Sequence, residues 1–471
     1  MAMHISTDLR KHLCDVAGEL VKSLPVVSTL DNAEELAEEV RQIVGEVILE
    51  RLLLAMTGKA TYNGVRLPCK CGKTMRFEGY RNRWVKAMVG EVQIKRAYYR
   101  CCACGCGVFP WDAEQGLTGP VGTPRFKASV CYVMGVNTYS HGIGVISRLC
   151  DVKIEESSAE AIVLEVGANI RAEEKSRVEQ VKAQIERETA ERLMVDTPVC
   201  APVAPVELRP VVGKRIYMGV DAATAHIGGG WHNVQNGIVF NVKQDDDGKD
   251  TLFKRAYISG QMDMETLGWR MRTLSTFWQV RAYLEQVFLG DGAHCNWELA
   301  SLHFPNAIMI LDFWHASGYI WALARKLYRQ DDPKQKALGD KWAVDRLHSL
   351  KHDGPAPLLR ALKRRKVKTE EQREALRTTT VYFRNNRNRM DYPAHIAAGR
   401  MIGSGPVEAA CKSCVECRLK GTGMRWSKDG ADAILAVRTT ILNGDDGRLS
   451  ELARAAITAN AVGKNATARA A

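Results

Sequence analysis

Three acidic residues, Asp221, Asp291 and Glu408, stand in sequence contexts that are typical of a metal site. Asp221 and Asp291 each end a short apolar run of the kind that forms a buried strand, and Glu408 follows Pro406 at the start of a predicted helix. Two acids at strand ends and a third on a later helix can together bind a pair of divalent cations. Such a pair cleaves and joins phosphodiesters by holding the attacking and the leaving oxygen atoms between the two ions.

Each acid taken alone has an ordinary alternative explanation. An Asp-Gly pair such as Asp291-Gly292 is more typical of a turn, and a lone acid can cap a helix or end a strand in water. The spacing adds a condition, because Asp291 is 70 positions after Asp221 and Glu408 is 117 positions after Asp291. The second gap fits one site only if the chain between them contains an insertion.

The strands and helices predicted around these acids indicate an α/β domain over residues 211–444. Three adjacent strands followed by strand–helix alternation are the order expected of a ribonuclease-H-like catalytic core, in which the first strand is central and a later parallel strand lies beside it. The mostly helical and basic stretch at about 313–400 is then a helical insertion. The predicted elements are strands at 216–221, 237–242 and 254–258, a helix at 264–285, a strand ending at Asp291, a short helix and a strand at 307–312.

A second cluster of metal-binding residue types lies in a strand-rich segment at 61–112, which contains six of the 14 cysteines. Cysteine pairs on two turns joined by strands predict a zinc-ribbon-like module, in which four thiolates hold one structural Zn²⁺. One residue separates the first two cysteines where two are usual, so the identity of the four ligands stays open. Reduced thiols without metal are the alternative. The candidate ligands are Cys69, Cys71, Cys101 and Cys104, with Cys102 or Cys106 as possible substitutes.

Helical segments flank this module, with an N-terminal helical region at 1–60 and further helices at 113–196. Candidate helices at 125–136, at 140–149 and from Ser157 onward fit a possible helix-turn-helix. The early residues of the third helix, Ser157, Ser158 and Glu160, are a weak set for reading bases, so a helical connector explains the pattern nearly as well. Four prolines predict a linker at 197–210, and composition predicts a disordered tail at 445–471.

The composition favours a polyanionic partner. The 471 residues carry a formal charge of +12, which suggests nucleic acid, although a basic surface that binds nothing is the simpler alternative. No stretch of 18 residues is free of charge, so we expect no membrane span. The first residues have no signal-peptide core, and clustered cysteines in a cytoplasmic protein more often bind metal than form disulfides.

Two groups of cations are candidates for DNA binding. One group lies in the basic run 363–368 of the predicted insertion, where a contact with phosphate competes with a purely solvated role. The other flanks Glu408 and could hold DNA near the metals, whereas Trp426 is expected to pack in the core. These candidates are Lys363, Arg364 and Arg365 in the first group and Lys412, Arg418 and Lys420 in the second. Cys411, Cys414 and Cys417 share one side of the same helix and are expected to be packing residues.

Several of these motifs, in this order, resemble the DDE transposases of bacterial insertion sequences, particularly the ISKra group, and more distantly the Mutator-like transposases. The resemblance spans most of the chain from about residue 60 to 444. The residue after the first acid departs mildly from the family pattern, because Ala222 stands where the family usually has glycine. The matching stretches are Met-Gly-Val-Asp at 218–221, Leu-Gly-Asp-Gly-Ala at 289–293, Phe-Pro-Asn-Ala at 304–307, Leu-Asp-Phe-Trp-His at 311–315, Gly-Ser-Gly-Pro-Val-Glu at 403–408 and Arg-Leu-Lys-Gly-Thr-Gly-Met-Arg-Trp at 418–426.

The resemblance implies that Asp221, Asp291 and Glu408 are catalytic acids that bind Mg²⁺ or Mn²⁺. It also implies double-stranded DNA as partner, both as element ends and as target, a homo-oligomer that joins two ends, and a cytoplasmic, nucleoid-associated location. Related transposases carry an acid or cysteine followed by histidine at the position of Asp312 and His315. His315 would then contact the scissile phosphate or hold the acids. The alternative is that Asp312 caps a helix and His315 packs against the sheet.

Three functions are compatible with this sequence. The first is a transposase that frees a 3′-hydroxyl at the end of an element and joins it to target DNA. The second is a nuclease of the same fold that cuts without joining. The third is a non-catalytic zinc-ribbon DNA-binding protein, and the presence of all three acids argues against it.

Overall fold

The computed structural model describes residues 6–57, 62–115, 117, 122–192, 208–244 and 250–454. The chain is a mixed α/β protein that divides into two compact units, Met1–Asp112 with Cys150–Val152 and Ala113–Leu149 with Lys153–Ala471. Across these described ranges, no helix combines the length and the apolar character that a membrane crossing requires.

The first unit contains a four-stranded antiparallel sheet in the strand order β1-β2-β3-β4. The strands β2 and β3 form a long hairpin, whose register shifts between Phe77 and Gly79. The helix α2 lies along β3 near the hairpin turn, where the carboxylates of Glu46 and Glu50 accept hydrogen bonds from strand N–H groups at 3.3 and 3.2 Å. The elements are α1 (Thr7–Val21), α2 (Leu30–Thr57), β1 (Arg66–Pro68), β2 (Thr74–Ala87), β3 (Gly90–Cys101), β4 (Gly107–Val108) and α3 (Pro110–Gln115).

The second unit is built on a five-stranded mixed sheet in the order β7-β6-β5-β8-β9. The first three of these strands along the chain are antiparallel, and β8 and β9 add in parallel beside β5. The elements are α4 (Pro124–Val136), α5 (Tyr139–Cys150), α6 (Glu156–Arg192), β5 (Arg215–Ile227), β6 (Gly230–Gln244), β7 (Asp250–Gly260), α7 (Met264–Phe277), β8 (Glu285–Gly290), α8 (His294–His303), β9 (Ile308–Leu311), α9 (Phe313–Leu327), α10 (Pro333–Asp353), α11 (Pro355–Arg364), α12 (Glu370–Asn385), α13 (Tyr392–Ala397), α14 (Gly405–Cys411), α15 (Cys417–Leu419) and α16 (Lys428–Leu442).

The central strand of this sheet is covered on both sides. Residues 216–220 of β5 are all buried, without the alternation of a half-exposed strand, which is the pattern of a sheet with helices on both faces. The helix α14 contacts β5 and β6, and α7 contacts β6. The three strands predicted at 216–221, 237–242 and 254–258 are therefore confirmed, and each is longer than the sequence pattern indicated.

The helices expected at 125–136, at 140–149 and from Ser157 onward are confirmed as α4, α5 and α6. The helix α6 packs closely on α16, since a Cβ added at Gly167 would lie 2.6 Å from the Cα of Ala433. Its first residues, Ser157 and Ser158, are exposed. Because α6 buries Ile162, Val163 and Val166 in the core, the connector explanation fits its packing, and recognition of DNA by its first turn stays a prediction.

Two predicted boundaries are wrong. The helix expected at 264–285 ends at Phe277, because Gln279 adopts a left-handed conformation with φ of 49° that an α-helix cannot continue through. The tail expected to be disordered from residue 445 is helical at 446–448 and 449–454, and Leu449 and Leu452 are buried. Most of the predicted linker, residues 193–207, and the tail beyond 454 lie outside the described residues.

The helical stretch predicted at about 313–400 is confirmed as the run α9 to α13, between β9 and α14. The helix that carries Glu408 also continues as expected, through a π-helical segment at Lys412–Glu416 into α15.

Candidate active site and metal centre

Two of the predicted catalytic acids lie at aligned positions of neighbouring parallel strands. Asp291 follows the end of β8, whereas β5 continues to Ile227, so the strand that was expected to end at Asp221 is longer. The register of β5 and β8 pairs Gly219 with Leu289, and Asp221 and Asp291 each follow two residues later. Because neighbouring strands lie about 4.8 Å apart, the sheet brings these acids together although they are far apart in sequence. The sequence suggested this arrangement, and the strand register now accounts for it.

Short hydrogen bonds from residues close by in the sequence orient both carboxylates. Oδ1 of Asp221 accepts from the N–H of Ala222 at 2.7 Å. Oδ1 of Asp291 accepts from the N–H of Ala293 at 2.9 Å and from the side-chain amide of Asn296 at 3.0 Å. Asn296 is buried at the start of α8, and its role was missed because nothing in the sequence distinguishes it from an ordinary helix residue. Both acids are therefore oriented through Oδ1, and the thiol of Cys411 donates to Oδ2 of Asp221 at 3.6 Å.

Burial raises the pKa of Asp221 above that of an ordinary aspartate, and the nearby negative charge of Asp291 raises it further. The hydrogen bond from Ala222 and the positive influence of His315 act in the opposite direction. Two carboxylates that repel each other at a half-buried position gain from a shared cation, which replaces their repulsion by two attractions. Carboxylate oxygens are also the ligands that Mg²⁺ prefers, so this pair fits a hard divalent cation.

The helix α14 places Glu408 beside the same strand. Val407 packs directly on Gly219 of β5, where an added Cβ would meet Val407 Cγ2 at 2.4 Å. The thiol of Cys411, one helical turn after Glu408, lies 3.6 Å from Oδ2 of Asp221. Positions three apart on a helix share a face, with Cβ atoms about 5–6 Å apart, so Glu408 lies on the face of α14 that carries Cys411, and its side chain is exposed.

The three acids are not gathered as tightly as the ligands of a preformed metal site. Among the residues that the structure describes, one group of three or more His, Cys, Asp or Glu side chains has all its ligand atoms within 4.8 Å, and that group is the cysteine cluster. Asp221 and Asp291 therefore lie on neighbouring strands, and Glu408 lies on a separate element, α14.

Asp312 caps the helix α9, as one of the two interpretations of this motif predicted. Its Oδ1 accepts from the N–H groups of Trp314 at 2.6 Å and His315 at 3.3 Å, while its other oxygen accepts from the hydroxyl of Ser404. Asp312 is only 1% exposed. The second half of that interpretation is wrong, because His315 is exposed and does not pack against the sheet. Its imidazole instead lies near Asp221 and favours the charged form of that carboxylate.

The helical segment also contacts the acids, which the sequence did not indicate. The hydroxyl of Tyr382 on α12 donates to the carbonyl oxygen of Asp291 at 2.8 Å. Its ring stacks on Tyr319 of α9 at a centroid distance of 3.8 Å. Gly292 has a φ of 101°, and a Cβ there would lie 2.8 Å from the Tyr382 ring. The turn after Asp291 is thus held from the side by the predicted insertion.

The predicted DNA-binding cations differ in their surroundings. Arg418 is 2% exposed and its Nε donates to the carbonyl of Met134 at 2.8 Å, so its assignment to DNA binding is wrong. Its guanidinium lies against the rings of Tyr139 and Trp426, and Trp426 is partly buried rather than in the core. Lys412 and Lys420 are exposed, although Lys420 pairs with Glu416 at 2.9 Å.

In the basic run, Lys363 and Arg364 are exposed. Arg365 is partly covered and its guanidinium lies 5.0 Å from the ring centroid of Tyr328. Two of these three cations are therefore available to a phosphate. Of the cysteines behind Glu408, Cys411 and Cys414 are buried as expected of packing residues, whereas Cys417 is exposed.

The cysteines of the first unit form a cluster with the geometry of a zinc site. The sulfur atoms of Cys69, Cys71, Cys101 and Cys104 all lie within 4.8 Å of one another. The Cys69–Cys104 and Cys71–Cys101 sulfur distances are 3.5 and 3.7 Å. A tetrahedron with Zn–S bonds of about 2.3 Å has sulfur atoms about 3.8 Å apart, so these residues fit Zn²⁺. The unusually tight first pair is thus compatible with four cysteine ligands.

Two thiols of this cluster, those of Cys101 and Cys104, are shifted towards the thiolate form that binds metal. Hydrogen bonds from the N–H of Cys106 and from the thiol of Cys69 lower the pKa of Cys104 to about 6. A hydrogen bond from the N–H of Cys104 is the main cause that lowers the pKa of Cys101. The N–H of Cys71 favours the Cys69 thiolate, but burial and the neighbouring thiols prevail and raise the pKa of Cys69 to about 12. Crowded sulfur atoms of this kind release their remaining protons when they bind a metal.

Comparison with the models of protein families and with curated proteins found no match to this sequence. The function proposed below therefore depends on the residues of this chain and on their geometry.

Proposed function

We propose that this chain is a metal-dependent DNA transposase with a ribonuclease-H-like catalytic domain. The observation that carries the proposal is the alignment of Asp221 and Asp291 on adjacent parallel strands, where burial and the negative charge of Asp291 raise the pKa of Asp221. Glu408 supports it, because α14 packs on the same central strand through Val407.

The strand order supports the same fold assignment. Three antiparallel strands with the first one central, followed by two parallel strands on its other side, are the arrangement expected of a ribonuclease-H-like sheet. The helices α9 to α13 then constitute an insertion between the second and third acids. This placement accounts for the 117 positions between Asp291 and Glu408.

Each residue of the site has a task in phosphodiester chemistry. Bound Mg²⁺ or Mn²⁺ ions would supply the charge that neutralises the phosphate and lowers the pKa of the attacking hydroxyl or water. Asp221 and Asp291 hold the ions, and Glu408 completes the ligand set from α14. Asn296 and the N–H of Ala293 fix the orientation of Asp291. The exposed imidazole of His315 would contact the scissile phosphate.

The cysteine cluster is proposed as a structural zinc site. Zn²⁺ held by four thiolates joins the turn after β1 to the end of β3, at a sheet whose own core is small. The cations on this ribbon would then be held in fixed positions on its surface.

The test is an assay for joined DNA products. A duplex taken from either side of the coding region, a plasmid target and Mg²⁺ are incubated with the full chain, and the products are separated by size. Cleaved ends joined to the plasmid are expected. Cleavage without joining would make the chain a nuclease, and DNA binding without cleavage would make it a non-catalytic binding protein.

A matched pair of variants links the activity to the proposed acids. Asp291→Asn keeps the shape of the side chain, removes its charge, and is expected to abolish cleavage while DNA binding remains. Asp340→Asn on α10 makes the same chemical change at an exposed position and is expected to cleave like the wild type. Normal cleavage by Asp291→Asn would refute the assignment of the acids.

A further inference from the structure

Three arginines lie directly opposite one another on three adjacent strands of the first unit. The register of β1 and β2 pairs Arg66 with Arg76, and the register of β2 and β3 pairs Arg76 with Arg100. Cross-strand partners share a face of the sheet, so the three side chains project from one face in a single row. All three are exposed. We call this set the arginine row.

Such a row is electrostatically unfavourable in the isolated protein. Like charges placed directly opposite each other on neighbouring strands repel, and no carboxylate among the described residues forms an ion pair with any of the three. Two other arginines of the same hairpin have a counter-charge, since Arg83 and Arg96 both donate to the carboxylate of Asp112. The sheet therefore neutralises cations where they are buried and leaves the exposed row without a counter-charge.

The chain segments that carry the row contain no acid, and Glu78, two positions after Arg76, pairs with Arg81 at 3.8 Å. The segment 66–76 contains four cations and no acidic residue, and the segment 100–108 contains no acidic residue. The opposite face at this end of the sheet is closed by a small core that includes Met75, Tyr99 and Cys101. The row is thus fixed to a rigid part of the sheet, next to the cysteine cluster, rather than to a mobile loop.

We propose that the arginine row binds consecutive phosphates on one strand of double-stranded DNA. Two strand spacings of about 4.8 Å make the row about 10 Å long. Nucleotides of one DNA strand advance about 3.4 Å along the helix axis, so the row extends over about three of them. Arginine suits this task because its planar guanidinium matches the geometry of phosphate oxygens.

This inference deepens the proposed function by adding a DNA contact in the ribbon, and it rests on that function only in taking DNA as the polyanion. It needs none of the catalytic acids. A competing explanation is that the arginines balance the negative charge of four thiolates around zinc, because Arg100 is adjacent to Cys101 in sequence. The two explanations differ in what is lost when the charges are removed.

The experiment measures how DNA affinity depends on salt. The full, zinc-loaded chain is titrated with a fluorescent duplex of about 20 base pairs between 50 and 200 mM KCl, without Mg²⁺ and without chelator. Each neutralised phosphate contributes about 0.9 to the slope of log affinity against log salt. The variant with Arg66→Gln, Arg76→Gln and Arg100→Gln is expected to lose about 2.7 from this slope. Between the two salt concentrations, the affinity ratio of wild type to variant should then fall about 40-fold.

Lys95→Gln provides the matched control. Lys95 is an exposed cation on the same strand as Arg100, but it lies five positions earlier, which is an odd offset, so it projects from the opposite face. Its removal is expected to leave the slope unchanged. Asp291→Asn is also expected to leave the slope unchanged, so a failure of the catalytic assignment can be told apart from a failure of this one.

The melting temperature provides a second readout, which should rise where the salt slope falls. In the absence of DNA, Arg76→Gln removes the middle charge of the row and should raise the melting temperature, while it lowers the salt slope by about 0.9. This single variant also serves if the triple variant does not fold. An unchanged slope in Arg76→Gln would overturn the proposal. Loss of bound zinc with an unchanged slope would show instead that the arginines balance the thiolates.

Discussion

Replacing Gly219 by alanine tests whether the helix that carries Glu408 is seated on the central strand. The position has no unusual backbone angle, so space alone decides the outcome. An added Cβ would lie 2.4 Å from Cγ2 of Val407 and 3.0 Å from the carbonyl oxygen of Leu289. The carbonyl belongs to the neighbouring strand β8 and cannot retreat, so α14 must move outward.

The size of the effect follows from these distances. Carbon atoms in contact lie about 3.5–4.0 Å apart, so Val407 must move by about 1–1.5 Å. Overpacking of this kind costs about 1–3 kcal/mol, and the lower entropy of the unfolded alanine chain offsets about 0.4–1 kcal/mol of that cost. A displacement of about 1 Å at a catalytic group can lower a rate about 100-fold. We therefore expect modest destabilisation of the fold and a much larger loss of cleavage.

The measurements are the melting temperature and the rate of DNA cleavage. Gly144→Ala is the matched control, because nothing lies within 4 Å of a Cβ added at this position in α5. It should melt no lower than the wild type, since alanine is favoured over glycine inside a helix. Adding Val407→Ala to Gly219→Ala removes the methyl groups that clash and should restore part of the cleavage rate. A Gly219→Ala variant that melts and cleaves like the wild type would refute the seating of α14.

Three further predictions concern the metals and their neighbours. A strong chelator should release one zinc ion per chain, measured by atomic absorption, and Cys104→Ser should prevent its binding. Tyr382→Phe removes the hydrogen bond to the Asp291 carbonyl, worth about 1 kcal/mol, and should weaken Mn²⁺ binding about 5-fold in calorimetry; equal affinity would contradict a positioning role. Asp221→Asn should raise the melting temperature of the metal-free protein and abolish its rise with Mn²⁺. Because the pKa of Asp221 is raised, the metal-free wild type should gain stability as pH falls through that pKa, whereas stabilisation by Mn²⁺ should fade there.

The strands and most helices could be predicted because their apolar patterns are local. Residues 216–220 form one buried run, and α9 begins at an aspartate that caps it, so both are visible in a short window of sequence. The end of α7 was not visible in this way. Residues 278–284 keep a helix-like composition, and the turn at Gln279 depends on how Trp278 and Tyr283 pack in three dimensions.

The acids of the candidate site could be predicted from the sequence, but the residues that contact and orient them could not. Asp221 and Asp291 are recognisable in the sequence because each ends an apolar run. Their alignment depends on the strand register, which the sequence does not show. Contacts such as Cys411 with Asp221, or Tyr382 with Asp291, join residues 190 and 91 positions apart and leave no local pattern. Arg418 shows the converse error, because a cation near a catalytic acid suggests DNA binding until its burial beneath Tyr139 is known.

The stacked tyrosines set limits on how the helical segment can change. Tyr319 belongs to the first helix of that segment and Tyr382 to a later one, and together they hold the turn that follows Asp291. The helices between them, α10 and α11, make no such contact with the acid. Changes in the length of those two helices should therefore be tolerated, whereas a deletion that removes α9 or α12 would release the Asp291 turn. A segment that looks like an appendage in the chain order therefore supports, through α9 and α12, the turn that follows Asp291.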